Sequence, residues 1–205
     1  MNQLPQNLID RIGSFSAATI HEALGKQGAL PAAIKPISPA MKLCGPAYTI
    51  QSMPGDNLLF HQAIASASPG DVLVAEVSGF YEAGYWGEIL TVASLARGLA
   101  GLVIDGCVRD ANEIEALGYP VFCRGLSIQG TTKHGTGTLN SPISIGDVQI
   151  TPGDMIVGDR DGLVVVPAGR VEDTIAKCEA RIQKEQRTME ALREGVTTLE
   201  IYGWE

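Results

Sequence analysis

The chain has 205 residues, 45% of them hydrophobic, which suits one compact domain with a real core and excludes wholesale disorder. Fifteen Lys and Arg against 23 Asp and Glu give a net charge of -8, so a nucleic-acid backbone is a poor partner; a small anion stays admissible, because one buried Arg and one metal reverse the field locally. No stretch approaches the roughly 20 apolar residues needed to cross a bilayer, and the start MNQLPQNLIDRIG lacks the basic-then-apolar pattern of a signal peptide, so no membrane partner is expected.

In chain order, Ser16 suits an N-cap for a helix through Thr19, Ile20, His21, Glu22, Ala23 and Leu24 that closes near Gly28. Pro31, Pro36 and Pro39 mark a connection, and Gly45-Pro46 opens an extended run, Ala47 to Ile50. Residues 58–67 read as a helix with Leu58, Leu59, Ala63 and Ile64 inward. The turn Pro69-Gly70-Asp71 launches the apolar run Val72-Leu73-Val74-Ala75, a strand buried on both faces. A loop bearing Gly and aromatic residues spans 78–86, and a helix runs from Gly87 to about Gly98. Leu102-Val103-Ile104 is a second buried strand, residues 110–117 a helix, and Val121-Phe122 a short strand. This alternation indicates α/β layering with parallel crossovers.

From Ser141 the pattern changes to short strands at 143–145, 148–150, 155–157 and 163–166, with Asp161-Gly162 as a hairpin turn. Residues 171–195 form a long charged helix with apolar Val171, Ile175, Cys178, Ile182, Met189 and Leu192. Such a terminal helix packs either on a neighbouring subunit or on its own domain. Cys44, Cys107, Cys123 and Cys178 lie far apart without a Cys-x-x-Cys pair, which speaks against a zinc ribbon or a thioredoxin-like site. They read as reduced thiols of a cytoplasmic protein.

Two constellations carry chemistry. Gly87-Glu88-Ile89-Leu90 opens a helix, where free backbone amides and the dipole make a ready anion cradle; the structural alternative, which many helix starts satisfy, is that Gly87 ends a turn and Glu88 complements the dipole. Asp105-Gly106-Cys107-Val108-Arg109-Asp110 follows a buried strand, where open α/β sheets gather ligands. Arg109 offers a planar fork to a keto acid, and Asp110 a hard oxygen to Mg²⁺ or Mn²⁺. The structural alternative is an ion pair for Arg109 and a capping box of Asp110 with Glu113. None of the lysines falls in a buried strand, which disfavours an imine mechanism. His21 and His61 read as surface or packing residues, His134 lies in a loop that can line a pocket, and Tyr81, Tyr85 and Trp86 suit a pocket wall or a subunit contact.

The stretch WGEILTVASLARGLAGLVIDGCVRDANEIEALGYPVFCRG (86–125) resembles the RraA-like family, as do GPAYTIQ, PGDVLVAE and PGDMIVGDRDGLVVVP, so the resemblance covers nearly the whole chain. That family contains 4-hydroxy-4-methyl-2-oxoglutarate aldolases and regulators of ribonuclease E. The resemblance implies one domain over 1–205 with a three-layer β/β/α swivelling-domain fold. It also implies a homotrimer or dimer of trimers, with Mg²⁺ or Mn²⁺ held between subunits. It implies that the amides of Gly87, Glu88, Ile89 and Leu90 hold pyruvate, that Arg109 contacts its oxygens, and that Asp110 binds the metal directly. Glu88 would reach the metal through water, and so would a glutamate from the C-terminal helix of a neighbouring subunit, best matched by Glu185.

The implied activity is metal-dependent cleavage of a 4-hydroxy-2-oxo acid to pyruvate, with decarboxylation of oxaloacetate, through a metal-stabilised pyruvate enolate. The rival from another class is a non-catalytic protein that binds ribonuclease E. Methyl transfer, an activity for which some similar proteins are labelled, lacks the glycine-rich turn it needs: neither Gly70-Asp71 nor Gly106-Cys107 makes one.

Overall fold

The apolar runs at 72–75 and 102–104 become adjacent parallel strands at the centre of a mixed sheet, buried on both faces as runs of that kind require. The structure is a computed structural model that describes residues 4–204. Its elements are α1 (Gln6–Gly13), α2 (Ala17–Ala23), β1 (Lys35–Pro36), β2 (Leu43–Ser52), α3 (Leu58–Ser66), β3 (Val72–Glu76), α4 (Glu88–Ala96), β4 (Gly101–Asp105), β5 (Cys107–Val108), α5 (Ala111–Leu117), β6 (Val121–Cys123), β7 (Gly125–Leu126), β8 (Gly137–Leu139), β9 (Ile143–Ile145), β10 (Val148–Ile150), β11 (Met155–Gly158), β12 (Leu163–Val166), α6 (Val171–Arg193) and α7 (Thr198–Tyr202). The main sheet runs β1-β6-β4-β3-β2-β11-β12, with β8 also paired to β2. Strands β2, β3, β4 and β6 are mutually parallel; β1, β8, β11 and β12 pair antiparallel.

Alternation along the paired strands sorts the core into layers. Leu73, Ala75, Leu102, Ile104 and Val121 face α3, α4 and α5. By strand register Met155, Val157, Val164 and Val166 point to the same side, beneath α1, α2 and α6. Val72, Val74, Val103, Phe122, Ile156 and Val165 point to the opposite side, against the β9–β10 hairpin. The helices that cover the sheet therefore share one face and the hairpin covers the other, which is the expected β/β/α layering with a long C-terminal helix.

Ser16 caps α2 as expected: its Oγ accepts from the Thr19 amide at 3.1 Å. Three details differ from the sequence reading. Helix α1 was not anticipated; it is two turns long and held by Leu8 and Ile12. In α3 the buried set is Leu59, Phe60, Ala63 and Ile64, while Leu58 is half-buried at the helix start. The apolar stripe of α6 is buried only through Cys178; Ile182, Met189 and Leu192 are exposed. Among the described residues no helix is long and apolar enough to cross a membrane.

Candidate active site

A cleft of about 260 Å³ opens near the carboxyl ends of β3 and β4. It is lined among others by Asn57, His61, Gly87, Arg109, Asp110 and Lys133. A larger cleft of about 350 Å³ lies near the start of β2, but among the described residues that line it the one carboxylate, Asp71, is taken by the Ser68 amide and there is no cation. Converging polar groups matter more than volume, so the smaller cleft is the candidate site.

Two segments distant in sequence are zipped together to build it. The Tyr85 amide donates to the Cys107 carbonyl at 3.0 Å and the Arg109 amide to the Trp86 carbonyl at 2.8 Å. Tyr85 and Trp86 line the cleft, as a pocket wall requires, and their buried rings pack around Phe60 and Tyr119. The Trp86 indole donates to Thr91 Oγ1 at 2.8 Å, and that hydroxyl donates to the Gly87 carbonyl at 3.0 Å, fixing the start of α4 from inside. Tyr81 stands apart, beneath the Arg124 guanidinium at 4.5 Å, and Arg124 also donates to Asp105 at the end of β4.

Asp110 has a left-handed backbone, φ 56° and ψ 41°, a conformation that costs a non-glycine residue on the order of 1–3 kcal/mol but that Asp and Asn tolerate best. This turn corrects the capping-box alternative: Asp110 makes no side-chain cap on α5. Its Oδ2 instead accepts from the amide of Glu88, the first residue of α4, at 3.1 Å, and lies 3.6 Å from Arg109 Nε. Gly87 is extended, at φ -160° and ψ -165°, which any residue adopts, so its role is spatial. A Cβ on Gly87 would lie 2.3 Å from Asp110 Oδ2. The space left by the missing side chain of Gly87 is thus taken by Asp110. The Ile89 and Leu90 amides, next in the same turn, donate to no protein acceptor among the described residues.

Gly87, Ile89, Leu90, Arg109 and Asp110 therefore share one cleft, with the Glu88 side chain exposed beside it. Glu185 is not brought there. It accepts from Arg181 Nε at 2.8 Å on α6, which packs on α1 and α2 at the β11–β12 end of the sheet. Among the described residues no group of three or more His, Cys, Asp or Glu side chains is placed to hold a metal. That donor set does not suit a closed zinc site. One half-exposed carboxylate, with Oδ1 free of protein donors among the described residues, suits a hydrated hard cation that keeps several waters.

The sequence reading missed three lining residues. Lys133 Nζ donates to Asn57 Oδ1 and lies 3.4 Å from Thr131 Oγ1. Asn57 Nδ2 donates to the Tyr85 carbonyl at 2.7 Å, which fixes the amide so that its oxygen meets the lysine. His61, set aside above as a surface residue, lines the same cleft, and burial, then the Lys133 charge, push its pKa below the usual histidine value. His134, the loop histidine considered instead, contributes its backbone amide to Asp56. A lysine in a Thr-rich loop and an asparagine before a helix carry no local signal; only their tertiary meeting does.

Comparison with known proteins gives a consistent picture. The family model RraA-like, described as Aldolase/RraA, matches residues 17–165. A Halalkalibacterium halodurans protein, provisionally named a 4-hydroxy-4-methyl-2-oxoglutarate aldolase, is 36% identical over 202 residues, covering 98% of this chain and 96% of its own. The solved structure of an uncharacterized protein from Pseudomonas syringae pv. tomato superposes with a TM-score of 0.87 at 31% identity, covering 100% of this chain and 96% of that one. Streptomyces coelicolor RraAS2, described as an unusual member of the RNase ES inhibitor RraA protein family, superposes with a TM-score of 0.81 at 28% identity, covering 92% and 98%.

Proposed function

The chain belongs to the RraA-like family, and from that premise we propose that it is a carbon–carbon lyase that cleaves a 4-hydroxy-2-oxo acid of the 4-hydroxy-4-methyl-2-oxoglutarate type to pyruvate and decarboxylates oxaloacetate. The observation that carries the reading is the arrangement at the start of α4: the Asp110 carboxylate on the Glu88 amide over a side-chain-free Gly87, with Arg109 alongside and two amides that have no protein acceptor among the described residues. The name of the Halalkalibacterium relative supports the aldol substrate.

In this reading the Ile89 and Leu90 amides and the positive end of α4 receive the substrate's C1 carboxylate. Arg109 presents its guanidinium to the 2-oxo oxygen. Cleavage breaks C3–C4: the C4 hydroxyl loses its proton, C4 becomes a carbonyl, and the bonding pair delocalises from C3 onto the 2-oxo oxygen. Protonation at C3 then yields pyruvate. In oxaloacetate the same pair is left as CO₂ departs. Asp110 would hold a Mg²⁺ or Mn²⁺ ion, with Glu88 and a neighbouring subunit's Glu185 reaching it through water; the cation would supply Lewis-acid stabilisation of the oxygen charge. A lysine-based imine route has one candidate, Lys133, whose amine is engaged by Asn57.

The test is pyruvate release from both acids, with excess chelator and then with Mg²⁺ or Mn²⁺. Asp110→Asn keeps a residue that tolerates the left-handed turn and removes the charge, so turnover should fall at least about 100-fold with the fold intact. Full activity in chelator would overturn the metal dependence, and wild-type turnover by Asp110→Asn would overturn the site. The second reading is a ribonuclease-binding regulator without chemistry, favoured by the likeness to RraAS2; absence of pyruvate release under every metal condition would select it.

A further inference from the structure

Arg109 and Asp110 hang from a small three-segment ribbon that leaves the main sheet where β4 ends. Its middle segment, β5 followed by Arg109, pairs with β7 on one side, Cys107 against Gly125 and Val108 against Leu126. On the other side it meets residues 84–86 through a Gly84–Cys107 bridge and through the amides of Tyr85 and Arg109. The packing is tight: a Cβ on Gly84 would lie 2.3 Å from the Ser127 carbonyl oxygen and 3.1 Å from Arg109 Cβ. A shift in either flanking segment is therefore passed on to Arg109.

One side chain ties the roots of all three segments. Arg124 stands directly before β7, and its amide donates to the Gly106 carbonyl, directly before β5, at 2.9 Å. Its Nε donates to Asp105 at the end of β4. Its guanidinium lies 4.5 Å from the centre of the Tyr81 ring, at the base of the 84–86 segment. Asp105 is buried and by strand register stands beside Glu76, the last residue of β3. Without the guanidinium these two carboxylates would be left side by side, and their repulsion would act on the point from which the ribbon departs. Arg124 itself does not line the cleft, so any effect it has on the chemistry passes through the ribbon.

We infer that Arg124, held by Asp105 and Tyr81, is a positioning residue: it fixes the ribbon so that Arg109 and Asp110 stand in the right place against the amides at the start of α4. The consequence for rate rests on the lyase reading; the consequence for the ribbon does not.

Three measurements test it. Arg124→Lys keeps a charge beside Asp105 but loses the planar fork and its contact with the Tyr81 face. In pyruvate release from 4-hydroxy-4-methyl-2-oxoglutarate with Mg²⁺ present, kcat should fall about 10- to 100-fold, the scale of a misplaced reacting group, while KM moves less than about threefold. Tyr81→Leu, at an exposed position where folding is not at risk, should lower kcat in the same way by a smaller factor. Second, Arg124→Lys made in the Asp110→Asn background should cost much less than in the wild type, because the group it positions is already lost; an unrelated defect would multiply in full. Third, the amides of Tyr85, Arg109 and Ser127 should exchange with solvent faster in Arg124→Lys while those of β3 keep their wild-type rates. Wild-type kcat in Arg124→Lys, an equal factor of loss in both backgrounds, ribbon exchange at the wild-type rate, or exchange that rises equally in β3 would each overturn the inference. If the wild type releases no pyruvate under any metal condition, the lyase reading fails and the exchange pattern alone decides: acceleration confined to the ribbon supports the clamp, and its absence overturns it.

Discussion

A carboxylate at a helix start ordinarily caps its own helix, and the D-x-x-E spacing of Asp110 and Glu113 invites that reading. The left-handed backbone at Asp110 sends the side chain to the first amide of α4 instead. The partner that makes this possible is Gly87, whose missing side chain leaves the space Asp110 Oδ2 occupies. Gly87→Ala separates the site from the fold. The backbone at position 87 accepts alanine, and a residue with fewer unfolded conformations offsets part of any lost contact. The added methyl must displace the carboxylate. The expected result is a loss in kcat/KM for pyruvate release on the order of 10- to 100-fold, the usual scale for groups that orient a metal ligand, with a thermal midpoint that moves by only a few degrees. Wild-type turnover in Gly87→Ala would show that the close approach has no part in the chemistry.

At the scale of elements, legibility followed how locally each is determined. The helix of residues 171–193 and the strands at 72–76 and 101–105 declare themselves through periodicity or unbroken apolar runs. Two-residue β5 and β7, and β8 on the flank of β2, have no such pattern; pairing alone makes them strands. The loop that carries Lys133 is likewise held from outside, by Asp56 before α3. The Asp56 carboxylate accepts from the amides of Leu58 at 3.1 Å, Gly135 at 3.0 Å and His134, and from the Thr132 hydroxyl at 3.0 Å. Burial alone would raise its pKa, but these donors outweigh it and hold the group below its ordinary 3.8. A carboxyl depressed in the folded state contributes stability that is full above its unfolded pKa and is lost as pH falls through the folded value. Thermal midpoints measured from pH 6 downward should therefore drop more steeply below about pH 4 in the wild type than in Asp56→Asn, which should start lower and fall less. Parallel slopes for the two proteins would mean that Asp56 does not clamp the loop.

Over the whole molecule, the part of the site that lies in one motif was readable and the part assembled across the fold was not. Arg109 and Asp110 sit together after a strand, and Gly87 to Leu90 open a helix; each is a local signature. Asn57 and Lys133, 76 positions apart, meet only because α3 and the 130–135 loop flank the same cleft. Glu185 is the opposite case, a residue that the family resemblance would bring to a metal from a neighbouring subunit and that the single chain holds elsewhere, paired to Arg181. The second half of α6 exposes Ile182, Met189 and Leu192, and α4 exposes Ile89 beside the cleft, at 76% of its full accessible area. Apolar faces of this kind on two separate elements suit contact between copies, the trimer proposed from the family resemblance. If α6 of one copy brings Glu185 to the cleft of the next, Asp110→Asn and Glu185→Gln lesions lie in different chains of one site. Asp110→Asn should lose at least about 100-fold in rate and Glu185→Gln at least about 10-fold, the latter as outer partners of a metal site commonly do, each with its oligomeric mass unchanged. Mixing the two and allowing subunit exchange should restore part of the activity, because some interfaces then hold both intact carboxylates. Cross-linking each oligomer before mixing should abolish the gain. Wild-type turnover by Glu185→Gln would return that residue to an ordinary helix-surface pair, worth about 0.3–0.5 kcal/mol. Two impaired variants that regain nothing after exchange would place both carboxylates in sites built by one chain.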